Sequence, residues 1–504
     1  MSDTTIDTGD SKMRKSHPSA LSTLFATEMW ERFSYYGMRA LLTLYLTAEL
    51  VDGGFGLDRA SALEIYAIFT GLVYLTPILG GWVADRFLGK RKTVYMGGIV
   101  MAIGQFLLAA SAFMAQSLDP DMRLFLFNFA LGVLIIGNGF FKPNISTIVG
   151  DFYDDNDPRK DAAFNIFYMG INLGAVLGPF IAGSLGENVQ WGWGYFAAGV
   201  GLIISVIWLK ARENTLEQHG LPPESPADKF ILDSKDWSQI IFYSIGLVVS
   251  TLAIIYFWGL IPDNISGTII TVGFIVLIAG LAFIIFKGTS GGDEWSRMIV
   301  IVVLAFFNVV FWAGFEQAGG TFNLFAEENT NRVIFGWEMP TTWFQNINPA
   351  IILIFAPIYS IMWLKLDSMK LNPRTPIKFA LGMLLGGIAF WFMTMASNQA
   401  AGGNLVSPMW LVMVYLILTL GELMLSPIGL SMITKLAPTK LVSVVMGLWM
   451  ASFAAGNYFA GVMENILHTY DLSLYPFIMW IMFGSAASIL ILSPLLNRAM
   501  KGIH

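Results

Sequence analysis

Long apolar segments separated by short polar connections run through the chain. Fourteen are long enough to cross a bilayer, at approximately 22–50, 62–86, 92–117, 121–150, 161–186, 192–212, 239–261, 265–287, 296–327, 342–366, 376–396, 408–436, 440–467 and 474–500. A helix needs about 20 residues to span the hydrocarbon layer. The pattern therefore predicts an all-α polytopic membrane protein. One longer polar connection, at about 213–238, interrupts the rhythm after the sixth segment. It divides the chain into six spans, two further spans and six spans. Four parts are expected: a polar tail at 1–20, a six-helix bundle at 21–212, a linker with two additional helices at 213–295, and a second six-helix bundle at 296–504. Two bundles of six suggest a site between them near the bilayer midplane.

The charges in the connections orient these spans. An even count puts both termini on one side. If that side is cytoplasmic, most of the 29 Lys and Arg lie there, and only Arg59, Arg123 and Arg332 fall on the other side. That bias predicts cytoplasmic termini. Residues 1–20 are polar, with no apolar stretch, and read as a disordered cytoplasmic tail rather than a signal peptide. Only 13% of the 504 residues are charged, about half the usual share in soluble domains. There is no Cys, and the four His (His17, His219, His468 and His504) lie outside the apolar segments. Thiolate, haem and most zinc chemistry are thereby disfavoured, and the spans hold no nucleophile–base or metal set for an enzyme. No cofactor is expected. The lipid bilayer is the expected surrounding, and nucleic acid is not an expected partner.

Seven charged residues remain inside the spans: Glu28, Glu31, Arg32, Arg39, Lys142, Glu316 and Glu422. On a helix, Glu28, Glu31, Arg32, Tyr35, Tyr36 and Arg39 fall within an arc of roughly 140°. A charge facing lipid costs on the order of 3 kcal/mol or more, so this stripe must face protein or a water-filled cavity. Depth follows from about 1.5 Å of rise per residue, which puts Glu31 about 14 Å and Lys142 about 12 Å from the cytoplasmic ends of their spans. A Glu31–Lys142 pair is compatible with that depth. Arg39, about 25 Å up its span, and Glu316, about 30 Å up its own, can pair nearer the outside and across the two bundles. Glu422 falls at the midplane. Four carboxylates face three cations, so one carboxylate lacks an internal partner. Such a group tends to take up a proton, or to be neutralised by a substrate amine. This is the residue-level argument for proton coupling. Static structural ion pairing is the alternative.

A further motif ends the second segment: Gly81-Trp-Val-Ala-Asp85-Arg86-Phe-Leu-Gly89-Lys90-Arg91-Lys92. Its small Gly permits close helix approach, and Asp85 can accept bonds across the cytoplasmic face. The motif resembles the cytoplasmic loop signature of the major facilitator superfamily. Glu28-x-x-Glu31-Arg32-Phe-x-Tyr35-Tyr36-Gly37 resembles the first signature of the proton-dependent oligopeptide transporters, and Phe167-Tyr168-Met-Gly-Ile-Asn172-Leu-Gly174 is similar to their second. Phe-Phe-Lys142-Pro-Asn, Phe-Glu316-Gln and Gly-Glu422-Leu-x-x-Ser426-Pro also fit. The resemblance covers nearly the whole chain, including the two additional spans typical of bacterial members.

The resemblance implies a major facilitator fold in a bacterial inner membrane, importing di- and tripeptides with protons by alternating access. Carried onto this sequence, it has Arg32 and Lys142 holding the peptide carboxylate. Glu422, Asn172 and Asn348 hold the amino terminus, with Ser426 in the same motif as Glu422. Tyr36, Tyr74, Tyr168, Trp312, Trp449 and Ser452 line the pocket. Glu28, Glu31 and Glu316 carry or transmit protons with Arg32 and Lys142, and Arg39–Glu316 is an extracellular gate. Independently, a cavity cationic on one bundle (Arg32, Lys142) and anionic on the other (Glu422) fits a short zwitterionic peptide, and aromatic walls accept varied side chains. The aromatic residues can equally be ordinary packing, and the two Asn can bridge helices. The rival is a major facilitator carrier for another small solute, such as a drug or anion. An anion carrier has no need of Glu422 or of the dense glutamate stripe.

Overall fold

The computed structural model describes residues 16–154, 157, 159–221, 233–258, 272, 276, 279–280, 283–285, 287–438 and 441–501. Most of the eighth predicted span, most of the tail and the middle of the long connection lie outside these. The described chain is almost entirely helical: α1 (Ser19–Thr47), α2 (Arg59–Leu75), α3 (Pro77–Val83), α4 (Lys90–Phe113), α5 (Pro120–Asp151), α6 (Lys160–Gly178), α7 (Ser184–Asn188), α8 (Trp191–Ala211), α9 (Ser234–Trp258), α10 (Gly292–Phe315), α11 (Thr321–Asn329), α12 (Ile347–Ser368), α13 (Thr375–Ala400), α14 (Met409–Leu436), α15 (Val442–His468) and α16 (Leu474–Ala499). One short hairpin, Val333–Ile334 with Trp337–Glu338, lies between α11 and α12. Ten helical stretches of the described residues are long and apolar enough to cross a membrane. Helix α1 is not among them, because its charged stripe interrupts the apolar run. The protein is an all-α, multi-pass membrane protein.

Local chemistry sets the helix ends. Asp58 accepts from Ser61 N at 3.0 Å to cap α2, and Asp119 accepts from Asp121 N at 3.0 Å to cap α5. Pro77, Pro120 and Pro376 stand in the first turns of α3, α5 and α13, where a missing N–H costs nothing. Three predicted single spans are interrupted. The fifth is interrupted at Pro179–Gly183, between α6 and α7. The second bends at Thr76, whose hydroxyl donates to Ile135 O at 3.0 Å. The ninth gives way at Glu316–Gly319 to a tighter turn before α11 resumes. There the freed backbone groups find partners: Gln317 Nε2 donates to Ala313 O and Ala460 O, and Thr43 Oγ1 donates to Gly319 O at 3.1 Å. Non-helical backbone at membrane depth survives only with such partners.

The apolar residues sort into two large cores, one drawn from residues 20–240 and the other from residues 285–500. In the first, α1 crosses α6 at close range. A Cβ on Gly174 would stand 2.2 Å from Met29 O, and one on Gly178 2.5 Å from Phe33 O. Small residues on α6 therefore set the position of the α1 stripe.

The loop after α1 and the start of α2 lie beside the end of α15, where Asn465 Nδ2 donates to Ala60 O at 3.1 Å. This is the distal end of the molecule; Ser19 and Ala499 lie at the opposite, terminal end. At the terminal end, Asp85 is exposed and bonds to no described residue, so it does not span that face. The basic residues that follow it tie the segment after α8 to the first bundle. Buried Arg91 donates to the carbonyls of His219 and Glu217, and Lys92 pairs with Asp236 at 2.7 Å.

Candidate functional site

Helix α1 carries the densest group. Arg32 donates through Nε to Glu31 Oε2 at 2.5 Å and through Nη2 to Glu31 Oε1 at 2.8 Å, and its Nε lies 3.3 Å from Glu28 Oε1. All three side chains are buried. Asn138 on α5 donates to Glu31 Oε1 at 3.3 Å. The expected Glu31–Lys142 pair is not formed. Lys142 makes no ion pair with any described residue; its Nζ sits over the Tyr74 ring, 4.6 Å from the centroid. Depth matching put the two groups at one level, but the two-pronged guanidinium next door matches a carboxylate better than a single ammonium on another helix.

At the upper end of the stripe, Arg39 Nη2 is ion-paired to Glu316, and both are buried. Tyr66 on α2 completes the group. Its hydroxyl accepts from Arg39 Nη2 at 2.9 Å and donates to Glu316 O at 3.2 Å. This joins the two bundles toward the distal end. Other bonds do the same: Arg59 to Glu464 at 2.6 Å and to Glu328 at 3.1 Å, Asn323 Nδ2 to Ala40 O at 2.8 Å, and Thr342 Oγ1 to Glu187 at 2.6 Å. A Cβ on Gly461 of α15 would stand 2.5 Å from Ala67 Cβ of α2. The distal end is therefore closed.

In the second bundle, Asn348 Nδ2 donates to Glu422 Oε2 and to Thr419 Oγ1, both at 2.9 Å. Glu422 is buried and has no cation among the described residues; Ser426, half-buried, follows one turn later. Trp312 Nε1 donates to Asn308 Oδ1 at 3.1 Å, and Asn308 Nδ2 donates to Ser452 Oγ at 2.8 Å. Aromatic rings connect the bundles: Tyr74 stacks on Phe453 with centroids 6.2 Å apart, and Phe453 lies 4.7 Å from Trp312. Trp449 does not line an open space in this state. It is 1% exposed, packed in the second core beside Phe379. Tyr36 lies beside Arg39, 5.9 Å from its guanidinium carbon. On α6, Tyr168 is 39% exposed, and Asn172 turns back on its own helix to donate to Tyr168 O at 2.9 Å.

The pairing leaves a simple remainder. Of the seven charges within the spans, Arg32 serves Glu28 and Glu31, and Arg39 serves Glu316. Lys142 and Glu422, one on each bundle, stand without an ionic partner among the described residues.

The sequence profile of the POT family matches residues 91–481. A peptide transporter of Yersinia enterocolitica, YePEPT, is 37% identical over 91% of this chain and 90% of its own length. A di-/tripeptide transporter of Lactococcus lactis subsp. cremoris is 35% identical over 86% of each chain. A crystal structure of a peptide transporter POT in complex with sulfate superposes with a TM-score of 0.82, at 36% identity, covering 96% of both chains. The chain belongs to the POT family, the proton-dependent oligopeptide transporters of the major facilitator fold.

Within this POT-family chain, several site neighbours escaped the sequence reading. Asn138 stands four residues before Lys142, Asn308 four before Trp312, and Thr419 three before Glu422. Each shares a helix face with a flagged residue, so the spacing that exposed the α1 stripe could have found them. Tyr66 carried only the weaker signal of a phenol inside an apolar run.

Proposed function

We propose that this protein imports di- and tripeptides together with protons, by alternating access across the bacterial inner membrane, with both termini cytoplasmic. The observation that carries the reading is the charge left over among the described residues: an ammonium, Lys142, on one bundle and a carboxylate, Glu422, on the other, each without an ionic partner there. A short peptide in its zwitterionic form is the complement of that arrangement. Lys142 takes the peptide carboxylate, with Arg32 behind it. Glu422 takes the amino terminus with Asn348 and Asn172, and Ser426 lies one turn further on. Tyr36, Tyr74, Tyr168, Trp312 and Ser452 form the walls, and Trp449 joins them on rearrangement. The names of the Yersinia and Lactococcus relatives agree with this substrate class.

The closed end follows the same chemistry. An ionised Glu316 holds Arg39 and keeps the distal, outward side shut. Protonation of Glu316 removes the charge that holds the pair and favours opening. The peptide carboxylate then competes for the cations of the first bundle, and a carboxylate of the Glu28/Glu31 pair takes and passes on a proton. The test is uptake of labelled dipeptide into proteoliposomes with and without an imposed inward proton gradient. Accumulation driven by the gradient and abolished by a protonophore is expected. Equal uptake without a gradient overturns proton coupling, and uptake of anions or drugs to the exclusion of dipeptide overturns the substrate class.

A further inference from the structure

The bundles also meet along a second distal seam. There the chain from α6 to α7 faces the tight turn Thr341–Asn346 of the second bundle. The first N–H groups of such a turn have no partner within it, and Pro340, just before it, supplies no side-chain cap. Glu187 of α7 supplies one from the other bundle. Its Oε2 accepts from Thr341 N at 2.7 Å, and its Oε1 accepts from Thr342 N at 2.9 Å and from Thr342 Oγ1 at 2.6 Å. No cation stands against Glu187 among the described residues. The neighbours fit closely around this cap. Trp343 Nε1 donates to Ser184 Oγ at 2.8 Å, and the Trp343 ring lies 4.7 Å from that of Phe180. A Cβ on Gly183 would stand 2.1 Å from Thr342 Oγ1, so only glycine lets the two chains come this close. The helix widens at Pro179–Gly183, a distortion frequent at functional sites.

We propose that Glu187 is a second latch of the distal end, a positioning residue that holds the bundles together by capping the Thr341–Asn346 turn across their seam. Its part in a transport cycle rests on the alternating-access reading above; the latch itself does not. Acceptor and donors lie on different bundles, so these bonds exist only while the seam is closed. The acceptor is a carboxylate, whose hydrogen bonds are roughly twice as strong as neutral ones. Two of the donors are backbone groups, fixed in direction by the turn that carries them. The turn also leads without a break into α12, which carries Asn348 and its bond to Glu422. Parting this seam therefore moves one half of the candidate site with it. The chemistry differs from that of Arg39 and Glu316. That contact is an ion pair and is lost when its carboxylate is neutralised. The Glu187 cap needs no cation and shares no atom with the pair, so it stays in place when Glu316 loses its charge. Opening the distal end takes the loss of both.

Spin-label distances in the full chain test this. Labels at Met122 and Leu405, both exposed at the distal end on different bundles, report the separation of the bundles. Labels at Met122 and Val189, also exposed, report the first bundle alone. Glu187→Ala is expected to raise the open-to-closed ratio seen by the first pair at least about tenfold, the effect of losing one bond to a charged group. The second pair is expected to stay unchanged. Thr342→Val, which keeps both backbone bonds, is expected to give a smaller shift, about threefold. Glu187→Ala combined with Glu316→Gln is expected to give the product of the two separate shifts, because the contacts are independent. An unchanged Met122–Leu405 distribution in both single variants overturns the latch. So does a longer Met122–Val189 distance, which marks local damage to α7. A double variant no more open than Glu316→Gln alone overturns its independence. Opening in the variants, beside a wild-type protein that takes up no dipeptide, upholds the latch and overturns the transport reading.

Discussion

The bond between Arg39 and Glu316 exists only while the distal ends of the bundles meet, so Glu316→Gln should open them. Arg39 is 6% exposed and Glu316 2%. Removing one member of a buried pair typically costs about 3–5 kcal/mol, because the other charge stays buried and uncompensated. Two features soften the loss. Gln retains an amide oxygen that can accept from Arg39, and the Tyr66 hydroxyl still accepts from Arg39 at 2.9 and 3.2 Å. A cost of about 2–3 kcal/mol remains, falling wholly on the closed state. At about 1.4 kcal/mol per factor of ten, the balance moves roughly 30- to 150-fold toward separated distal ends. The Arg59–Glu464 and Thr342–Glu187 contacts are untouched, so the closed state stays within reach. The absence of Cys makes spin labelling clean. Labels at Val51 and Tyr470, 82% and 71% exposed on opposite bundles, should report a longer mean distance in the variant. Acid should lengthen that distance in the wild-type protein and leave the variant unchanged. Gradient-driven uptake should be lost and counterflow retained. A variant with wild-type distances and full acid-driven uptake refutes the reasoning.

Three other outcomes are expected. Tyr66→Phe removes the hydroxyl but keeps the ion pair, so the same spin labels should show a smaller opening than with Glu316→Gln, about tenfold in the balance; an equal or larger effect would make Tyr66 the principal latch. Lys142→Ala should lose peptide uptake in proteoliposomes while the protein stays folded by circular dichroism, and normal transport would remove Lys142 from the mechanism. Gly461→Leu puts a side chain where even a Cβ meets Leu63 O at 2.6 Å; the distal ends should separate in the spin-label distances, and an unchanged distribution would show that α2 and α15 do not set closure.

The span pattern was legible because hydrocarbon thickness dictates it: α4 runs Lys90–Phe113 where the apolar run suggested 92–117, and α5 Pro120–Asp151 where it suggested 121–150. The α1 stripe was legible because charges in an apolar helix are conspicuous and the helical period sorts them by face. Partner choice was not. Rise per residue placed Glu31 and Lys142 at one depth but said nothing of side-chain reach, and the adjacent guanidinium took the carboxylate. The break at Glu316–Gly319 was hidden because hydropathy does not register backbone hydrogen bonds, and the partners that satisfy it come from distant helices. Asn138 and Asn308 passed unnoticed because a neutral amide in a membrane helix carries little signal without its neighbour.

Under the symport proposed above, the pairing in this state also orders the events of coupling. An arriving peptide carboxylate meets two candidate cations, Arg32 and Lys142. Arg32 already makes two bonds to Glu31 and lies 3.3 Å from Glu28, so recruiting it means breaking a buried bidentate pair. Among the described residues, Lys142 has only the face of Tyr74, a contact worth about 0.5–2 kcal/mol. The proposed symport therefore has the carboxylate go to Lys142 first. Tyr74 is also the ring stacked on Phe453 of the second bundle, so drawing Lys142 away frees one face of a contact that crosses between bundles. Arg32 follows only if Glu31 gives up its hold, and protonation of Glu31 is the change that weakens it. In the proposed symport, peptide at Lys142 and a proton at Glu31 thus act on the same stretch of α1 from two sides, while Arg39 at the top of that helix holds the distal end shut until Glu316 is neutralised. Coupling on this account needs no wire between distant sites. It needs one helix whose guanidinium groups are each committed to a carboxylate that a proton can release.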